Sequence, residues 1–338
     1  MQYLNVVRRR LVFLVLVLLG VSLITFMISH LIPGDPARLI AGDRATPAIV
    51  EKIREDMGLN RSLPEQYWRY FQGILSGDLG TSLRTRRPVV EDLKLFFPAT
   101  LELAFVALFL ATIVGIPLGV ASAVWRDKPI DHIVRALAVT GISTPAFWLG
   151  LLLIVLFYGK LGWLPGGGRI DQNLVRPDTI TGFLLIDSLL AGNLAAFLSA
   201  LKHLLLPALT LGFVHLGIVA RQFRSAMLEE IQQDYVRTAR AAGLSESSII
   251  FREALPNALI PSVTVLGLAL GDLLYGAVLT ETVFAWPGMG AYVVNSIQSL
   301  DFPAVMGFTI VVSFAYVLVN LAVDLLYMFI EPRIGGIQ

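Results

Sequence analysis

The sequence predicts an all-α integral membrane protein with six transmembrane helices. Three observations lead there: 56% of the 338 residues are hydrophobic, only 15% are charged, and the mean hydropathy is +0.73. A soluble domain carries about 25% charged residues, so a chain this poor in charge belongs in a bilayer. Apolar stretches long enough to cross about 30 Å of hydrocarbon recur at 11–32, 99–124, 134–158, 204–220, 258–280 and 304–330. The two long connections are 33–98 and 221–257, and residues 1–338 read as a single membrane domain.

Arg8, Arg9 and Arg10 precede the first apolar run, as in a signal peptide. The run is about 20 residues long and no small-x-small cleavage site follows, so it reads as a retained span. Pro207 lies near the start of the fourth span, where a first-turn proline removes an N–H that has no partner anyway. A seventh candidate, 180–201, contains Asp187, Gly192 and Asn193, and an aspartate at mid-bilayer costs about 2.5–3.5 kcal/mol. Charge bias decides against it. Six spans put Arg8, Arg9, Arg10, Arg126, Lys128, Arg135, Arg221, Arg224, Arg237, Arg240, Arg252 and Arg333 on one side. That side is the cytoplasm by the positive-inside rule. Both termini are then cytoplasmic, and 180–201 becomes an interfacial or loop-packed helix.

The outer connection is helical. Thr46 caps a helix begun by Pro47, with Ile49, Val50, Ile53 and Met57 on one face and Gly58 at its end. A second starts at Pro64 with Tyr67, Tyr70, Phe71, Ile74 and Leu75 on its apolar face, and a third leads from Pro88 into the second span. Tyr67, Trp68, Tyr70 and Phe71 read as an interfacial aromatic belt.

Within 227–261, Leu228, Ile231, Tyr235, Ala239 and Ala242 are three and four apart, the spacing of one helix face. Gly243 supplies the left-handed residue that ends the helix, with Leu244 placed for the accompanying contact. Ser245 caps a second helix that runs towards Pro256 and into the next span. A helix, glycine turn and helix on the cytoplasmic side form a module suited to being held by another protein.

Ionisable residues inside spans are costly and become functional candidates. Asp272, between Gly271 and Leu273, is the deepest of them and a candidate for a transport path. Asn320 and Asp324 share one face of the last span and read as packing partners. Glu102 suits a helix N-terminus at the outer start of the second span, and His215 reads as a packing residue. Gly115 with Gly119, and Gly267 with Gly271, have the spacing that lets helices approach closely.

Several chemistries are excluded. There is no cysteine, and the four histidines are scattered without HxxH or HExxH. Ser143 in GISTPAF lacks a GxSxG elbow or a nearby base, and reads as a polar residue in a span. Gly166-Gly167-Gly168-Arg169 is a turn, since GxxxxGK[ST] occurs nowhere. A net charge of +1 without a basic face gives no nucleic-acid signal. Without a catalytic motif the chain reads as a non-enzyme, and any ATP must be bound by another chain. Inverted halves of matching hydropathy, common in secondary transporters, are absent.

Ordered motifs carry a family resemblance over nearly the whole length. They include His30-Leu31-Ile32-Pro33-Gly34-Asp35-Pro36, Gly77-Asp78-Leu79-Gly80, Pro98-Ala99-Thr100-Leu101-Glu102-Leu103 and Gly115-Ile116-Pro117-Leu118-Gly119. Further on stand Asp234-Tyr235-Val236-Arg237-Thr238-Ala239-Arg240-Ala241-Ala242-Gly243-Leu244, Leu279-Thr280-Glu281-Thr282-Val283-Phe284, Trp286-Pro287-Gly288-Met289-Gly290 and Pro332-Arg333. The chain resembles permease subunits of binding-protein-dependent ABC importers, in the dipeptide, oligopeptide and nickel class. Thr181-Gly182-Phe183-Leu184-Leu185-Ile186-Asp187 looks most like the dipeptide branch. Arg237 and Thr238 replace the Glu and first Ala of the general EAA pattern, so Glu-dependent contacts are not carried over.

The resemblance implies a type I importer permease that conducts dipeptides or short oligopeptides across a bacterial inner membrane. Its implied partners are a second similar permease, two ATPase subunits carrying ATP and magnesium, and an extracytoplasmic binding protein. Asp234, Tyr235, Arg237, Thr238, Ala239, Arg240, Gly243 and Leu244 would form the ATPase-coupling loop. Nickel or glutathione import is the alternative within the class, and an ion-coupled secondary transporter using Asp272 is the alternative outside it.

Overall fold

The computed structural model describes residues 2–31, 36–42, 45–56 and 58–330. Ile32 to Asp35, Met57, Pro332 and Arg333, named above, lie outside the described residues. The described chain is helical, and the β pairing within it is a single bridge between Thr81 and Pro88. In order the helices are α1 (Gln2–Leu31), α2 (Pro36–Ala41), α3 (Pro47–Asp56), α4 (Leu63–Ser76), α5 (Val89–Val124), α6 (Pro129–Ser143) and α7 (Ala146–Leu153). After a π-helical stretch Ile154–Lys160 come α8 (Leu184–Leu190), α9 (Leu194–Glu230), α10 (Asp234–Ala241) and α11 (Glu246–Ser248). A second π-helical stretch, Ile249–Ala254, leads into α12 (Leu255–Gly276), α13 (Val278–Val283), α14 (Met289–Gln298) and α15 (Phe302–Ile330).

Five helical runs are long and apolar enough to cross a membrane, and α6 with α7 makes a sixth if the bent pair is one span. The core is α5 packed along α9, with α12 and α15 closing the bundle. Small residues set those distances. A Cβ on Gly119 would sit 2.7 Å from the Ala220 carbonyl oxygen, and one on Gly271 2.7 Å from the Tyr316 ring. These glycine pairs therefore mark real helix crossings.

Two expectations are corrected, and one span is bent. The third span is not straight: α6 and α7 meet at 102° around Thr144, because Pro145 donates no N–H and disfavours helix at the residue before it. The 180–201 segment is not one helix. It divides at Gly192 into α8 and the first turns of α9, since Gly192 is at φ +65° and the Asn193 side chain caps Ala196. Pro207 consequently lies inside α9 rather than in its first turn.

α4 lies against α1: Tyr67 and Ser22 share a hydroxyl hydrogen bond of 3.0 Å, and the Tyr67 and Tyr70 rings pack on Phe26. Trp68 points away and is exposed. Arg10 and Asp324 pair at 2.5 Å, tying α1 to α15.

Candidate coupling loop and outer closure

The helix that the 227–242 periodicity suggests is two helices. α9 ends at Glu230 and α10 begins at Asp234, with Gln232 and Gln233 donating back to Glu229 and Glu230 in a turn. Apolar periodicity survived the interruption because Ile231 and Tyr235 sit on either side of it. The Tyr235 hydroxyl donates to Glu230 at 2.7 Å and accepts from Asn257 at 3.1 Å, so one ring ties together α9, α10 and α12. Burial, together with the neighbouring Glu230 carboxylate, pushes that phenol up to about 12.

α10 packs on the 249–254 stretch, and Val236 and Ile249 are both fully buried. Its end is a Schellman turn. Leu244 N–H donates to Ala239 and Gly243 N–H to Arg240, while Gly243 stands at φ +81°. Ser245 accepts from Ser248 N–H at 3.3 Å and opens α11. Around this built turn Asp234, Arg237, Thr238, Arg240 and Leu244 are exposed, and Ala239 is half-buried. Phe251 is exposed beside them. Arg237 pairs with Asp234 at 3.0 Å, and Arg240 forks onto Glu246 at 2.8 and 3.3 Å across the glycine turn. Two ion pairs thus close within the loop, and Leu244 and Phe251 stand exposed at its tip.

Asp272 is not the deepest ionisable group. It stands one turn from the end of α12, half-buried, and accepts a hydrogen bond from Tyr275 at 2.7 Å. The polar groups that the core encloses lie elsewhere, joined by contacts between distant parts of the chain.

Towards the end of the bundle that carries the 231–254 loop, Asp131 on α6 is fully buried, held by Ser122 Oγ at 2.5 Å and by Arg224 Nε at 2.7 Å. At the opposite end Glu102 is thirteen residues inside α5 instead of at a helix N-terminus, because the helix leading from Pro88 and the second span are continuous. It pairs with buried Arg169 and accepts Leu185 N–H at 2.8 Å. Arg169 also donates to the Gly182 carbonyl at 3.2 Å and lies 5.4 Å from the centre of the Trp286 ring. Burial drives the Arg169 guanidinium below its ordinary value, and Glu102 partly restores it. Asp187 caps the neighbouring turn. Burial pushes its carboxyl up, but bonds from Thr181 N–H and Oγ1 and Gly182 N–H outweigh this and hold it low.

Glu281, fully buried on α13, joins the outer hairpin α13–α14 to α5. It accepts from Thr100 Oγ1 at 2.6 Å and from Ala291 N–H at 3.0 Å, while Thr100 Oγ1 accepts Met289 N–H at 2.8 Å. Trp286 Nε1 donates to the Ala99 carbonyl at 3.0 Å. Gly290 lies so close that a Cβ would stand 2.9 Å from the Glu281 carboxylate and 2.5 Å from Val278 Cα. That contact gives a physical reason for glycine in Trp286-Pro287-Gly288-Met289-Gly290.

Residues 115–336 match the family model described as binding-protein-dependent transport system inner membrane component, and residues 3–104 match that of its N-terminal part. The chain is 68% identical to the probable D,D-dipeptide transport system permease protein DdpB of Escherichia coli K12, over 99% of this chain and 98% of that one. It is 43% identical to the dipeptide transport system permease protein DppB of Escherichia coli K12, over 98% of each. Similarity extends to the glutathione transport system permease protein GsiC of Pectobacterium atrosepticum, 41% identical over 98% of this chain and 99% of that one.

Proposed function

Since this chain belongs to the family of binding-protein-dependent transport system inner membrane components, we propose that it forms part of the membrane path for dipeptides in an ATP-driven importer. A second, similar permease completes the path. Two partner ATPase subunits bind ATP and magnesium, and an extracytoplasmic binding protein delivers the peptide. Both termini and the 221–257 loop face the cytoplasm, as the arginine bias requires.

The observation that carries the coupling role is the tip of α10, Gly243 and α11. Two ion pairs, Arg237 with Asp234 and Arg240 with Glu246, close within the loop, so a partner groove meets a built shape with the apolar side chains Leu244 and Phe251 exposed on it. Closure of the ATPases would move this tip, and Tyr235 would pass the motion to α9 and α12 as a rigid body. Asp272 and Tyr275 supply a hydrophilic pair to the path. Asp272→Asn would then change peptide preference with normal abundance of the complex, whereas loss of the complex would assign the residue to packing.

Uptake of D-alanyl-D-alanine and L-alanyl-L-alanine into vesicles containing the assembled complex tests the reading. ATP-dependent accumulation that resists a protonophore supports it. Accumulation that needs no ATP and collapses with the protonophore supports ion coupling through Asp272, and uptake of glutathione alone moves the substrate within the class.

A further inference from the structure

We infer that the break in the third span, at Thr140, Ser143, Thr144 and Pro145, lines the translocation path at the middle of the membrane and offers hydrogen bonds to the passing peptide. This rests on the permease reading and adds the residues that touch the cargo.

The depth of the break follows from its register on α9. α6 runs antiparallel to α9, with Asp131 against Arg224, Ala138 against Gly217 and Gly141 against Phe213. Phe213 lies between the two charged residues that flank the apolar part of α9, eleven residues from Lys202 (213 − 202) and eight from Arg221 (221 − 213). These intervals are about 16 and 12 Å of helix, together close to a hydrocarbon core about 30 Å thick, and they put Phe213 near its middle.

Backbone pairing fails at that level. Thr144 N–H to the Thr140 carbonyl, 3.0 Å, is the last bond of α6, and Leu149 N–H to the Pro145 carbonyl, 3.1 Å, is the first of α7. Pro145 has no N–H, and those of Ala146, Phe147 and Trp148 make no backbone bond across the break. The carbonyls of Gly141, Ile142 and Ser143 are left without their helical donors. Non-helical backbone persists at membrane depth only when enclosed by protein or lining a water-filled cavity. Ser143, Pro145 and Phe147 are exposed, so this chain does not enclose the break.

Side chains point the same way. Thr25, Thr210, Ser262 and Thr309 each turn their hydroxyl back to the carbonyl four residues earlier, at 2.8 Å, and Thr144 does the same to Thr140 at 2.6 Å. Thr140 and Ser143 are exposed, share a helix face three residues apart, and have no partner for their hydroxyls among the described residues. Together with the free N–H and carbonyl groups they present both donors and acceptors, the complement of a peptide unit stripped of water.

The chain has no cysteine, so Ser143→Cys or Thr140→Cys introduces its one thiol. The assembled transporter would be treated with a charged methanethiosulfonate reagent, and labelling followed on this subunit after separation. A thiol in hydrocarbon hardly ionises, so labelling at the break should exceed that of Leu16→Cys on α1 by about an order of magnitude. Saturating D-alanyl-D-alanine with the binding protein and ATP should slow it. Labelling of both break variants as slow as Leu16→Cys overturns the inference, because the break is then enclosed by protein or lipid. Wild-type peptide uptake in the same vesicles is scored separately, so loss of the substrate reading leaves the accessibility result standing.

Discussion

Arg224 grips Asp131 with two bonds, Nε to Oδ1 at 2.7 Å and Nη2 to Oδ2 at 2.8 Å, and the carboxylate is fully buried. This fork joins the start of α6 to the last turns of α9, which lead into the proposed coupling loop. Removing one partner strands the other. Arg224→Met is expected to destabilise the assembled subunit by about 3–5 kcal/mol, read as a lowered thermal midpoint in detergent. Asp131→Asn keeps the shape and the Ser122 contact, and is expected to cost less. Equal midpoints for wild type and Arg224→Met would show that the pair contributes nothing.

Arg169 and Glu102 pin the 161–183 segment to α5 at the opposite end. Arg169→Met leaves a buried carboxylate unpaired and should raise hydrogen exchange throughout 161–183. Adding Glu102→Leu removes that stranded charge, and buried pairs replaced by apolar groups are often neutral. The double variant is therefore expected to recover most of the thermal midpoint lost by the single one.

Glu281 predicts a pH dependence. Burial raises its pKa to about 7 from the ordinary 4.5, against the pull of the Thr100, Ala291 and Gly290 hydrogen bonds. The folded state thus holds the proton more tightly than the unfolded state. The resulting stability is complete below about pH 4.5 and fades as pH rises through about 7, a difference of roughly 3 kcal/mol. The thermal midpoint of the complex should fall between pH 5 and pH 8, and Glu281→Gln should flatten that slope.

Local devices were legible in the sequence, and long-range ones were not. Gly243 and Ser245 announce a turn and a cap because the signal needs only a few neighbouring residues. Pro47 and Pro64 mark helix starts for the same reason. Hydropathy overlooked the bend at Thr144 because the flanking residues stay apolar on both sides; the Thr144-Pro145 dipeptide was the available sign. Asn193 held the cap signal that moves the start of α9 and places Pro207 in its interior. Glu102 and Arg169 are 67 residues apart, and nothing in either neighbourhood names the other. Glu281 and Thr100 are 181 apart. Glycine at 290 makes sense only once the carboxylate beneath it is seen.

Transmission through the Gly243 turn is the central claim, and Gly243→Val tests it most directly. No atom lies within 4 Å of the position a Cβ would take, so the substitution acts through its φ of +81°. The strain is about 1–2 kcal/mol, enough to reshape the turn while the bundle stays folded. The measurement is peptide accumulated per ATP hydrolysed by the assembled complex in vesicles. Normal insertion with ATP hydrolysis continuing and peptide per ATP falling several-fold is the expected result. An unchanged ratio would contradict the coupling role of this loop.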